Sequence, residues 1–131
     1  MISAQMRRTR EKHPNLAIRF YTNFSPEDYG AILNGSSCII GNSSSGIRES
    51  SFLGVPSVTL GDRQFGREMA QNTIYSPYNR EDIRRAVLKQ ISHGRFPSSN
   101  LYGNGDAGAK IAEVLANADV SVEKRFKILE Y

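Results

Sequence analysis

"CIIGNSSSGIRESSFLGVPSVTLG", residues 38–61, decides how the rest of the chain is read. It opens on "CIIG" (38–41), a continuous apolar run of the kind found in strands buried on both faces. A glycine- and serine-rich loop follows. "GIRESSFLG" then predicts a short helix stopped by Gly54, and "PSVTLG" (56–61) predicts the next strand. Two strands joined through a helix run parallel, because a parallel pair needs a crossover rather than a hairpin.

The same alternation continues outward. Toward the C-terminus, "NTIYS" (72–76) reads as a strand and "REDIRRAVLKQISHG" (80–94) as an amphipathic helix with a glycine stop. The turn-rich "RFPSSNLYGNGDAG" leads to a last helix, "AKIAEVLANA" (109–118). Toward the N-terminus, Ser25 is placed to cap a helix with Pro26 at its first position and Glu27 and Asp28 in its first turn. That helix is expected to reach about Asn34, with Tyr29, Ile32 and Leu33 on one face. "LAIRFY" (16–21) is a β-prone run, and residues 2–13 predict an exposed helix ended by Pro14. The fold class is therefore α/β, a parallel sheet flanked by helices. Residues 1–120 are expected to form an incomplete Rossmann-like domain, with a charged tail over 121–131.

Composition narrows the function. With 131 residues there is room for one modest domain. No apolar run is long enough to span a membrane, and a cytoplasmic location is expected. The single cysteine excludes an internal disulfide, and no Cys/His cluster suggests a metal. The net charge of +4 rests partly on Arg7, Arg8, Arg10 and Lys12 and on Arg80, Arg84 and Arg85. With few aromatics interleaved, these clusters read as solvated helix faces rather than a nucleic-acid surface.

In open parallel sheets, ligands bind beyond the carboxyl ends of the strands, and the serine loop lies at such an end. Two roles remain open for it from the residues alone. Ser43, Ser44 and Ser45 can cap a helix. They can equally offer hydroxyl and backbone donors to a phosphate, with Gly41 and Gly46 allowing close approach. No lysine occupies the position a nucleotide-hydrolysing P-loop requires. Glu49, one turn further on and on the face of Ser45, can complement a helix dipole or accept hydrogen bonds from a ribose. Arg63 and Arg67, just past the next strand end, can reach the same anion. His13 and His93, each at a helix end, read as surface residues.

"IIGNSSSGIRESSFLGVPSVTLGDRQFGRE", with "NTIY" and "NLYGNGDAGAKIAEVL", resembles the C-terminal part of hydrolysing UDP-N-acetylglucosamine 2-epimerases. The resemblance runs from about Arg19 to Leu115. Gly41-Asn42-Ser43-Ser44-Ser45 and Arg63-Gln64 favour the hydrolysing branch over the non-hydrolysing one, which typically carries a Ser-Gly-Gly loop and a Thr-Glu-Arg segment. It implies a GT-B architecture of two Rossmann-like domains, of which this chain supplies part of the second. It also implies that Ser43 and Ser44 bind the UDP diphosphate within a loop completed by Ser45 and Gly46. Glu49 would hold the ribose, Arg63 would line the nucleotide site, and the backbone near Phe24 would meet the uracil. UDP or UDP-N-acetylglucosamine is the implied ligand, with no further cofactor.

The implied reaction is anti elimination of UDP across C1 and C2, then hydration of the 2-acetamidoglucal to N-acetylmannosamine. No residue of this chain is assigned to its proton transfers. The family's acid/base groups lie largely in a half that this sequence lacks, so the chain is expected to be the distal portion of a longer enzyme. A non-catalytic UDP-sugar-binding module or a fragment of a GT-B glycosyltransferase are the alternatives. In the strand order 3-2-1-4-5-6, "IRFY" would be strand three and "CIIG", "SVTL" and "NTIY" strands four to six. Without strands one and two, either "IRFY" pairs with "CIIG" directly or an open edge remains, and self-association is expected.

Overall fold

The computed structural model describes residues 2–118; the expected tail over 121–131 lies outside them. Contacts divide the chain into two units, Met1–Ile32 and Leu33–Tyr131. In the first, α1 (Ile2–Lys12) ends as expected before Pro14. The second helix, α2 (Pro26–Gly35), begins where its cap predicts: the Ser25 hydroxyl accepts the Asp28 N–H at 3.1 Å. Of its three expected apolar residues, Leu33 is buried, Tyr29 is half-buried and Ile32 is exposed.

The β-prone run 16–21 is not a strand. A strand draws its hydrogen bonds from neighbouring strands, and this segment joins no sheet among the described residues. The Ile18 N–H instead bonds the Leu16 carbonyl at 2.7 Å, and Leu16, Ile18 and Tyr21 stay exposed. Apolar and β-branched content alone was insufficient to make it pair.

The second unit carries a three-stranded parallel sheet in the order β1 (Ile39–Gly41), β2 (Ser57–Leu60), β3 (Thr73–Ser76). Ile39 is in register with Ser57 and Gly41 with Thr59; Ser57 is in turn opposite Thr73. Sequence order and spatial order agree, as expected for strands four to six of a Rossmann-like sheet. The expectation that "CIIG" is buried on both faces is corrected: Ile40 is 47% exposed. With β2 on one side and no strand on the other among the described residues, β1 is an edge. Full burial belongs to β2, whose Ser57, Val58 and Thr59 are nearly inaccessible.

Between β1 and β2 lies α3 (Glu49–Leu53). Gly54 ends it at φ 66°, where a side chain is strained and a Cβ would stand 2.1 Å from the Phe96 carbonyl oxygen. After β3, Asn79 caps α4 (Arg80–His93) by accepting the Glu81 and Asp82 N–H groups. Gly94 ends it. The last helix, α5 (Ala107–Asn117), has no buried residue, and Ile111, Val114 and Leu115 lie open. Ahead of it, the Lys110 ammonium holds the Asp106 carboxyl below its ordinary pKa. No described helix is long and apolar enough to cross a membrane.

The core is unusually polar. Ile47, Val55 and Val58 share it with Ser50, Ser57, Asn72 and Gln90, all essentially buried. Most such groups are paired, although the Ser57 hydroxyl has no partner among the described residues. Gln90, on the inward face of α4, donates to the carbonyls of Ser57 (2.8 Å) and Asn72 (2.6 Å). Asn72 Nδ2 donates to Val55 O at 2.7 Å and to Ser50 Oγ at 3.0 Å. These bonds tie α4, the central strand β2, the residue before β3, and α3 to one buried framework.

Candidate functional site

The serine loop leaves β1 at Gly41 and closes a 3-10 turn over Ser44–Gly46. Ser43 caps that turn. Its Oγ accepts the Ser45 N–H at 3.3 Å, and its carbonyl accepts the Gly46 N–H at 3.1 Å. The Ser44 carbonyl takes the N–H groups of Ile47 and Arg48. Capping therefore accounts for the Ser43 hydroxyl in this structure. It does not account for Ser44, which is half-buried and whose hydroxyl bonds no described residue. The amides of Ser43 and Ser44 likewise bond no described residue. Ser45 and Gly46 are buried, and a Cβ at Gly46 would sit 3.1 Å from Ser57 Oγ. Gly46 thus lets the loop lie against β2.

The expected continuous helix from Gly46 to Leu53 is instead broken. Ser50 Oγ donates to the Gly46 carbonyl at 2.8 Å, the place an α-helix reserves for the N–H four residues on. Thr73 Oγ1 donates to the same carbonyl at 3.3 Å. Both side chains thus bond that one carbonyl, and α3 starts at Glu49. Glu49 is therefore the exposed first residue of a five-residue helix, not a residue one turn into a helix that includes Ser45. So short a helix has little macrodipole to offer. An anion here would rely on the loop donors that bond no described residue and on cations nearby, rather than on the helix.

After β2 the chain turns at Gly61 and forms the loop that carries Arg63, Gln64 and Arg67. Both arginines are exposed, and neither forms an ion pair among the described residues. Between them Gln64 is only 3% exposed, and its Nε2 donates to the Asn42 carbonyl at 2.7 Å. The loops after β1 and β2 are therefore joined through one side chain. Sequence reading used Gln64 only as part of a motif; the signal it missed was a polar residue flanked by two arginines but folded inward. The Arg48 guanidinium lies 5.9 Å from the centre of the Tyr102 ring, whose hydroxyl donates to the Glu68 carbonyl. This brings "LYGNG" beside the start of α3 and the end of the arginine loop.

Phe24 belongs to the first unit. It is half-buried, packs against Tyr21 with ring centres 4.8 Å apart, and its N–H donates to Asn23 Oδ1 at 2.9 Å. His13 and His93 are both exposed, the latter stacked on Phe96. No cluster of three potential metal ligands exists among the described residues. Burial pushes the Cys38 thiol above its ordinary pKa, which disfavours the reactive thiolate.

Residues 2–116 match the family described as UDP-N-acetylglucosamine 2-epimerase. A UDP-N-acetylglucosamine 2-epimerase of Neisseria meningitidis serogroup B is 35% identical over 106 residues, covering 76% of this chain and 28% of that protein. A GDP/UDP-N,N'-diacetylbacillosamine 2-epimerase (hydrolyzing) of Campylobacter jejuni is 39% identical over 71 residues, 54% of this chain and 18% of that protein. A UDP-N,N'-diacetylbacillosamine 2-epimerase (hydrolyzing) of Legionella pneumophila is 27% identical over 103 residues, 79% of this chain and 27% of that protein. The chain thus spans less than a third of the length of each. With the family match running through the serine loop, the arginine loop and α5, the chain belongs to the UDP-N-acetylglucosamine 2-epimerase family.

Proposed function

We propose that this chain supplies the diphosphate-gripping surface of a hydrolysing UDP-N-acetylglucosamine 2-epimerase. The observation that carries the reading is the serine loop at the carboxyl end of β1. There the Ser44 hydroxyl and the Ser43 and Ser44 amides are left without a described partner. Donors gathered in a Gly/Ser turn beyond a parallel strand suit a phosphate. Arg63 and Arg67, at the next strand end and without ion pairs among the described residues, add positive charge for the same anion. Glu49 would accept from the ribose. The names of the Campylobacter and Legionella relatives specify hydrolysis, which supports the hydrolysing branch.

In the proposed reaction the bond from C1 to the UDP oxygen breaks as the proton on C2 is removed, and water then adds to the glucal. Negative charge grows on the departing diphosphate. Fixed donors aimed at that charge lower the barrier, and this is the contribution assigned to the serine loop. Proton removal and delivery need groups of suitable pKa within reach of the sugar. None is assigned here, and those steps belong to the remainder of a longer enzyme. A cytoplasmic location goes with this reading, since nucleotide sugars are its substrates.

Isothermal titration of the chain with UDP and with uridine tests the proposal. UDP should bind and uridine should bind far more weakly. Equal affinity for the two would remove the diphosphate from the site.

A further inference from the structure

We infer that Gln64 is the positioning residue of the serine loop, holding it open for a diphosphate through the carbonyl of Asn42. The ligand part of this inference rests on the nucleotide-binding reading above; the loop part does not. Asn42 is the link between the last residue of β1 and the Ser43 cap, so its peptide plane sets the direction in which the loop leaves the sheet. Gln64 Nε2 fixes that plane at 2.7 Å. Only the nitrogen end of the amide can face a carbonyl, because exchanging its two ends would bring two oxygens together.

That orientation has a cost. Gln64 Oε1 is buried and has no hydrogen-bond partner among the described residues. The hydroxyls of Ser57 and Thr59 on β2 are likewise buried and without a partner among the described residues. Unpaired buried acceptors are uncommon and destabilising. An apolar side chain of the same length would avoid the cost and still fill the space. A glutamine here weakens the fold locally in exchange for a fixed Asn42 carbonyl, as expected of a residue serving a site rather than the core.

The same loop shows how the device is mounted. The Arg67 N–H bonds the Gln64 carbonyl at 3.3 Å and the Phe65 N–H bonds the Asp62 carbonyl at 2.8 Å, so the glutamine sits in a closed turn. Its side chain points inward while Arg63 and Arg67 on either side stay exposed. One turn thus combines a clamp on the serine loop with two cations for the anion it would hold.

The test is amide hydrogen exchange by NMR on the unmodified chain and on Gln64→Met, with titration by UDP and uridine. In the unmodified chain the Gln64 side-chain amide should exchange more slowly than that of the exposed Gln71. In Gln64→Met the Ser45 and Gly46 amides should exchange about tenfold faster, while the Ser57 amide in the sheet keeps its rate. UDP affinity should fall about tenfold with uridine affinity unchanged. Gln64 side-chain exchange as fast as that of Gln71 overturns the inference even if the variant does not fold. So does an unchanged loop in a folded variant, or an equal loss for UDP and uridine. If the unmodified chain binds no UDP, the nucleotide reading fails, while the exchange data still decide whether Gln64 holds the loop.

Discussion

Ser50 Oγ donates to the carbonyl of Gly46 at 2.8 Å and at the same time accepts from Asn72 Nδ2 at 3.0 Å. A single hydroxyl therefore ends the turn of the serine loop and anchors it to the residue that opens onto β3. It is completely buried. Removing it leaves the Gly46 carbonyl with only the longer bond from Thr73 Oγ1 at 3.3 Å, and Asn72 Nδ2 with only the Val55 carbonyl at 2.7 Å.

Ser50→Ala should accordingly destabilise the second unit by about 1–3 kcal/mol, the net worth of two buried hydrogen bonds at about 0.5–1.5 kcal/mol each. Urea unfolding of the two proteins measures it. A change below about 0.5 kcal/mol, the range of ordinary surface substitutions, would mean that the framework re-pairs without Ser50.

Ser44→Ala addresses the ligand. The Ser44 hydroxyl has no described partner to lose, so stability should hardly change. UDP binding should weaken by about 1.5–3 kcal/mol, the worth of one hydrogen bond to a charged acceptor. Uridine, lacking phosphates, should not register the change. A large stability loss with no effect on UDP would reassign Ser44 to the fold.

Gly54→Ala tests backbone geometry instead. At φ 66° an alanine is strained, and its Cβ would fall 2.1 Å from the Phe96 carbonyl oxygen, far inside contact distance. That carbonyl belongs to backbone held by the Phe96 N–H bond to Gly54 at 2.9 Å, so it cannot swing aside cheaply. Where alanine fits, replacing glycine stabilises by about 0.4–1 kcal/mol; here the sign should reverse and the loss should exceed about 1 kcal/mol. Thermal unfolding monitored by circular dichroism would show it, and an unchanged midpoint would contradict the assigned conformation.

The three strands and the capped helices were legible because each carried a local signal: apolar runs at Ile39 and Val58, Ser25 before Pro26, and glycines at 54 and 94. "IRFY" carried an equally good local signal and was misread, since pairing is a property of neighbours and not of the segment. The polar core was hidden for the opposite reason. Ser50, Asn72 and Gln90 look like surface residues until partners 17 or more positions away are known. At the break in the helix after Gly46, likewise, a side chain bonds the carbonyl that periodicity assigns to the backbone. Within the candidate site, serine, glutamate and arginine could be named from their order, whereas the inward Gln64 could not.

Association is the last expectation, and it follows from what remains uncovered. β1 has β2 on one side only among the described residues, and Ile40 in its centre is 47% exposed. An open strand edge beside an apolar side chain is a template for another chain. On α5, Ile111, Val114 and Leu115 occupy one face at helical spacing, each at least 59% exposed. Patches of this sort seek partners. The chain should therefore sediment as a concentration-dependent mixture rather than as a single monomer. Ile40→Lys places a charge at the open edge, a device natural sheets use against edge pairing. It should shift the mixture toward monomer without lowering the unfolding midpoint, because Ile40 contributes little to the core. Sedimentation velocity across a hundredfold concentration range would decide. A single monomeric species throughout would show that these surfaces do not bring copies of the chain together.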